Sequence, residues 1–189
     1  MADAGPGEDA ALLLRDFVNT LDVDSGTDGL AAPADLARWL TERGLVPSGT
    51  ATGDADLAMG IALREGLRAA MLAHRGPTDE EVCDLDDVLA ELPLRVVLDG
   101  PRPALVPAGG AAAAAAGLAR VASAIMDAAA AGTWARLKVC EEDTCRWAFL
   151  DTSKNRSRAW CSMKTCGNRT KTRAYRARRR PPAGAAPAR

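Results

Sequence analysis

Between about Asp9 and Leu21 the residues Leu14, Phe17, Val18 and Leu21 recur at i, i+3, i+4 and i+7, the apolar stripe of a helix that turns one face to a core. The polar run DVDSGTDG after it predicts a loop. Pro33 suits the first turn of a short second helix with Leu36, Trp39 and Leu40 on one face, and Gly44 is placed to end it in the left-handed conformation. Beyond VPSGTATG, Asp54 is placed to cap a third helix that carries Leu57, Ile61, Leu67 and Met71 and stops at Gly76-Pro77. Thr78-Asp79-Glu80-Glu81 then matches a capping box, and Val82, Leu85, Val88, Leu89 and Leu92 continue an apolar stripe as far as Pro93. Leu94 to Leu98 and Ala104 to Val106, on either side of DGPRP, predict a short β-hairpin. Across 111–131 the alanine-rich stretch sets Leu118, Val121, Ala122, Ile125 and Met126 on one helical face, and Gly132 ends it.

The chain has 189 residues, 48% of them apolar, enough for a real core. Its net charge of −1 conceals a division. Residues 1–135 hold nine arginines and no lysine against twenty-one carboxylates, a balance of −12; residues 136–180 hold fourteen cations against four acids, a balance of +10. With four thiolates and one Zn²⁺ included, the second figure becomes about +8, still a segment that seeks polyanions. MADAGPGEDAALLL lacks the basic start of a secretory signal, and no uninterrupted apolar run reaches about 18 residues, so a cytoplasmic protein without a membrane partner is expected.

Four of the five cysteines lie within 27 positions as Cys140-x4-Cys145-x15-Cys161-x4-Cys166. Each close pair supplies two soft thiolates from one local structure, and the intervening loop brings the pairs together, as tetrahedral Zn²⁺ requires. Four thiolates saturate the ion, which points to one structural zinc rather than a catalytic one; an iron–sulfur cluster is the alternative. Arg146, Arg158, Lys164 and Arg169 are near enough in sequence to offset the negative charge of the centre. The single histidine, His74, sits at a predicted helix end and reads as a surface residue, so histidine-dependent hydrolysis has no base and no enzyme is expected. Trp147, Phe149 and Trp160 read as the small core of the module, and Asp151 as a partner for Arg158 or Arg169.

After Cys166 the residues GNRTKTRAYRARRR place Arg169, Arg173, Arg176 and Arg180 on one helical face, and no acid occurs from Thr152 to the end, so these cations are expected to lack local partners. The expected nucleic-acid contacts are Arg156, Arg158, Lys164, Asn168, Arg169, Lys171, Arg173, Arg176, Arg178, Arg179 and Arg180. Gly167 reads as a residue that lets the backbone turn after the fourth ligand, and Asn168 as a cap or a base reader.

LKVCEEDTCRWAFLDTSKNRSRAWCSMKTCGNRTKTRAYRARRR, which begins at Leu137, resembles the CGNR zinc finger, named for Cys166-Gly167-Asn168-Arg169, and the resemblance covers roughly residues 136–180. Ala159 departs from it, where a second basic residue is expected after Arg158. Asp16-Phe17-Val18-Asn19-Thr20 and the later D-L-x-x-W-L at Asp35 to Leu40 resemble the ABATE-type domain that precedes this finger in bacterial proteins described as stress-induced transcription regulators.

That resemblance implies an N-terminal sensing or dimerising domain over 1–135 and the finger over 136–180, and the composition of PPAGAAPAR predicts a disordered tail over 181–189. The expected fold is α+β: a mostly helical N-terminal domain with one short β-hairpin, then a treble-clef-like zinc module ending in a basic helix. The implied function is a zinc-dependent DNA-binding transcription regulator that could act as a homodimer and answer to an unidentified small-molecule effector. The alternatives are an RNA-binding zinc protein and a small-molecule-binding domain with the finger as an appendage. Asp16, Asn19 and Asp35 are candidates to line a pocket, though caps and core-edge hydrogen bonds are the expected uses of such residues. The charge division suggests that the acidic part masks the basic helix in the absence of DNA.

Overall fold

The computed structural model describes residues 6–76, 85–98 and 103–179. Its elements are α1 (Pro6–Val18), β1 (Leu21–Asp22), β2 (Thr27–Asp28), α2 (Pro33–Glu42), α3 (Asp54–Ala73), α4 (Leu85–Ala90), β3 (Leu94–Val97), β4 (Ala104–Pro107) and α5 (Ala113–Ala130). A 3₁₀ turn at Trp134–Arg136 leads to β5 (Leu137–Val139) and β6 (Ala148–Leu150), and a wide π-type turn at Met163–Gly167 runs into α6 (Asn168–Arg179). The strands form three separate antiparallel pairs, β1 with β2, β3 with β4 and β5 with β6. The fold is α+β, with a helical N-terminal region and a four-cysteine module that ends in a helix.

The helical stripes read from the sequence make the core. Leu14, Phe17 and Val18 of α1, Leu36 and Leu40 of α2, Leu67 and Met71 of α3, and Leu118 and Val121 of α5 are fully buried. Each such side chain contributes roughly 1.5–3 kcal/mol by leaving water. By length and composition α5 is the one described helix able to cross a bilayer. It carries Arg120 and Asp127, however, and it packs most extensively on α1 in this core.

Several expectations need correction. DVDSGTDG is a hairpin: the Asp22 carboxylate accepts from the main-chain N–H groups of Asp24 (3.0 Å) and Ser25 (3.3 Å), and Gly26 takes φ +70° to complete the turn. A second hairpin therefore stands beside the expected one at β3–β4, whose register pairs Leu94 with Pro107 and Val97 with Ala104. Gly53, not Asp54, caps α3, with Asp56 reaching back to the Gly53 N–H at 2.8 Å. On α5 Met126 is exposed rather than buried. Gly44 does adopt the left-handed conformation, at φ +65°, and the next residue, Leu45, donates back to the Leu40 carbonyl. Pro77, the capping box at Thr78, Cys83, Arg180 and the tail 181–189 lie outside the described residues.

Leu137, Val139 and Ala148 of the last hairpin belong to the same buried cluster as Phe17 and Leu67. The module therefore shares a core with the helices. This follows from its sequence, since β5 and β6 are too short to cover their own apolar faces.

Candidate metal centre and nucleic-acid interface

Cys140 follows β5 directly, and its N–H donates to the Trp147 carbonyl at 2.9 Å. The chain then turns back through Cys145 and Arg146, whose N–H groups both donate to the Glu142 carbonyl, with Arg146 at φ +52°. On the far side of the loop, Cys166 lies inside the π-type turn, which opens with Ser162 Oγ accepting from Thr165 N–H at 3.3 Å. These segments bring all four sulfurs within 4.8 Å of one another, with Cys145 to Cys161 at 3.7 Å and Cys161 to Cys166 at 3.6 Å.

A tetrahedron with Zn–S bonds of about 2.3 Å has edges of about 3.8 Å, so the thiols fit Zn²⁺. They are too far apart for disulfides, which need about 2.05 Å, and all four are free. Burial and the neighbouring sulfurs push the Cys145 thiol up to about 12 and raise Cys161 as well. Such crowding is relieved by a cation held among the four sulfurs. The cluster is one Zn²⁺ site held by Cys140, Cys145, Cys161 and Cys166, a structural clamp between the hairpin and α6.

Asp151 is fully buried and organises the loop that delivers Cys161. Its carboxylate accepts from Lys138 Nζ (2.7 Å), Ser153 N–H (3.0 Å) and Oγ (2.6 Å), and the main-chain N–H of Arg158 (3.0 Å). The expected guanidinium partners are absent because Lys138, on the facing strand, takes that place. The Arg158 side chain lies over the Phe149 ring and donates to the Trp160 and Cys161 carbonyls, so its role is to shape the loop. Phe149 is buried and Trp160 packs on the cysteines, whereas Trp147 is exposed and does not join their core.

Gly167 is buried and does not take a positive φ; a Cβ there would lie 2.3 Å from Met163 Sδ, a flexible, exposed side chain that can swing aside, and 3.4 Å from Trp160. Asn168 Nδ2 donates to the Lys164 carbonyl at 3.0 Å, the capping alternative. Two of the arginines expected to lack partners have them, because acids come from elsewhere in the fold. Arg169 meets Asp24 of the β1–β2 turn at 3.0 Å, and Arg173 meets Glu142 of the cysteine turn. Glu142 is fully buried and also accepts from Thr170 Oγ1 at 2.9 Å, which docks α6 on the zinc turn. Truncating Arg173 would therefore loosen this docking, not only remove a surface charge.

Lys154, Arg156, Lys164, Lys171, Arg176 and Arg178 are exposed. Lys164, Asn168, Thr172 and Arg176, four residues apart, line a groove of about 560 Å³ edged by Arg169 and Arg173. Arg180 lies outside the described residues.

Residues 136–179 match the CGNR zinc finger family. Residues 11–136, two thirds of the chain, match the ABATE family, described as "Putative stress-induced transcription regulator". The chain belongs to that family. No curated protein matches it.

The seam between the ABATE unit and the CGNR finger contains polar residues that sequence reasoning did not place. Asn19, a pocket candidate, also pairs with the main chain of β6: its Nδ2 donates to the Ala148 carbonyl (2.9 Å) and its Oδ1 accepts from the Ala148 N–H (2.7 Å). Arg68, nearly buried on α3, donates to the Val18 carbonyl (2.7 Å) and across the seam to the Arg146 carbonyl (2.8 Å). Arg64, also buried, forks onto Asp28 at 2.7 and 3.1 Å. Two arginines inside an apolar helical stripe were the available signal, since such groups go inside only with partners. His74 is half-buried rather than on the surface: Nδ1 lies 2.8 Å from the Leu137 carbonyl and the ring meets Trp134 edge-on. Arg75 pairs with Glu141 at 2.7 Å.

Asp16 and Asn19 do face a cleft of about 540 Å³ between α1 and the finger, whose other wall includes Trp147, Leu150 and Thr152. Asp35 does not; it accepts from the Ala32 N–H at the start of α2 and pairs with Arg38.

Proposed function

We propose that this member of the stress-induced transcription regulator family binds DNA through α6 and the turn before it, with zinc holding both in place. The observation that carries the reading is the outer surface of α6 and the turn before it: Lys164 in the turn and Lys171, Arg176 and Arg178 on the helix are exposed, and the helix contains no acid. The groove past Lys164, Asn168 and Arg176 offers cations for phosphates, and the Asn168 amide is exposed along it. The cysteines contribute rigidity and no reaction, since four thiolates leave zinc no open position.

Titrating zinc-loaded full-length protein with a DNA duplex at several salt concentrations tests this. Arg176→Ala should weaken binding about equally across sequences and lower the slope of log K against log salt by about one. A salt-independent affinity, or structured RNA outcompeting the duplex tenfold, would overturn the DNA reading. The cleft between α1 and the finger supports the effector half of the reading, because a small molecule seated there would touch both units. A rise in Tm with a metabolite panel, lost in Trp147→Ala, is the corresponding check.

A further inference from the structure

Three aspartates sit on the β1–β2 hairpin, and two are used within the N-terminal unit. Asp28 is gripped by Arg64, and Asp22 caps the turn through the N–H groups of Asp24 and Ser25. Asp24 is presented outward to α6, where its Oδ1 and Oδ2 meet Arg169 Nη1 and Nη2, each at 3.0 Å. Two parallel N–H···O bonds from one guanidinium are the arrangement by which arginine holds two oxygens of a phosphate.

The two acid–arginine pairs on α6 differ in what water can reach. Glu142, beneath Arg173, has a side chain 0% exposed, whereas Asp24 and Arg169 retain 47% and 35%. A buried carboxylate cannot give up its cation without being left unpaired. An exposed pair is weak, screened by salt and open to exchange. Arg169 also edges the groove that Lys164 and Arg176 line, so a backbone lying there would bring a phosphate to the fork that Asp24 now fills.

We propose that Asp24 stands in for a nucleic-acid phosphate on Arg169, so that the β1–β2 hairpin of the N-terminal unit competes with bound backbone for the first turn of α6. The proposal rests on the nucleic-acid reading above and narrows the general charge masking expected from the sequence to one residue pair. It also gives the N-terminal unit a means of control: whatever draws the hairpin from α6 raises affinity, and nucleic acid in turn favours the released hairpin by the same factor.

The test compares duplex binding at low salt by zinc-loaded wild type, Asp24→Asn and Asp54→Asn. Asp54 makes the same charge change at the end of α3 away from the finger, about 30 Å along the helix from its His74 end. Asp24→Asn should bind about three-fold more tightly than Asp54→Asn, and Asp24→Lys more tightly still. In an Arg169→Ala background the advantage of Asp24→Asn over Asp54→Asn should vanish. Zinc content and circular dichroism confirm that each variant is folded. Equal affinities for Asp24→Asn and Asp54→Asn overturn the competitor and leave DNA binding standing, as does an advantage that persists without Arg169. If no variant binds duplex or structured RNA, the nucleic-acid reading itself fails and the competitor with it.

Discussion

Replacing Asp151 by alanine should be among the most damaging single changes outside the zinc ligands. The carboxylate is fully buried, and its removal leaves the Lys138 ammonium, whose side chain is only 9% exposed, with the Arg156 and Arg158 carbonyls alone. Ser153 N–H and Arg158 N–H lose their acceptor at the same time. Removing one partner of a buried pair costs about 3–5 kcal/mol; the remaining carbonyls place Asp151→Ala near the lower end, about 3 kcal/mol. Combining it with Lys138→Met removes the stranded cation as well, so the double variant should cost less than the sum of the single ones. Urea unfolding of the zinc-saturated proteins measures all three.

Acidity supplies a second arm of the same experiment. Burial favours the neutral Asp151 acid, but the bonds from Lys138, Ser153 and Arg158 outweigh it and hold the carboxyl well below the usual carboxylate range. With the folded value depressed, its stabilisation is fully present above the unfolded value, about 3.9, and is lost as pH falls from there through the folded value. The stability gap between wild type and Asp151→Asn, at matched zinc occupancy, should therefore narrow below about pH 4. An Asp151→Ala variant within about 0.5 kcal/mol of wild type, or a gap independent of pH, would refute the reasoning.

Asn19→Ala should cost about 1–3 kcal/mol, because the Ala148 N–H and carbonyl both lose their partner. Asn19→Asp should be no better despite its matching shape, since the Ala148 carbonyl would face a carboxylate oxygen; thermal unfolding ranks the two, and a wild-type Tm for Asn19→Asp would contradict the assigned bonds. Gly117→Ala on α5 should destabilise by about 1–3 kcal/mol although alanine is the better helix former, because the new Cβ would lie 2.6 Å from Val46 Cγ1. Denaturant midpoints decide this, and a stabilised variant would show that α2 and the Val46 loop yield at no cost.

What the sequence made legible was whatever repeats at a local period. The stripes at Leu14-Phe17-Val18 and Leu118-Val121 announce their helices, and the cysteine spacing announces the metal, because neighbours on the chain carry each signal. The pairs that shape the site are separated far more widely: Arg169 finds Asp24 across 145 positions and Arg68 finds the Arg146 carbonyl across 78. No local count of charges reveals such partners, which is why α6 read as a row of unpaired cations. The β1–β2 hairpin escaped for another reason. Its strands are two residues long and each ends in an aspartate, so the side-chain cap of Asp22 and the left-handed Gly26, rather than any strand preference, form it.

The hairpin that begins the finger buries Leu137, Val139 and Ala148 among the helices, while Asn19 and Arg68 bond to its main chain from the other side. Many small metal modules are portable, in the sense that a gene fusion can carry one to a new host protein intact. This one is grafted in place. A cut at residue 136, where the two family matches meet, would leave each fragment with an open greasy flank. Withdrawing the ion should then slacken the packing around α1 and α3 as well as the finger, so that scarcity of zinc in the cell would register throughout the molecule.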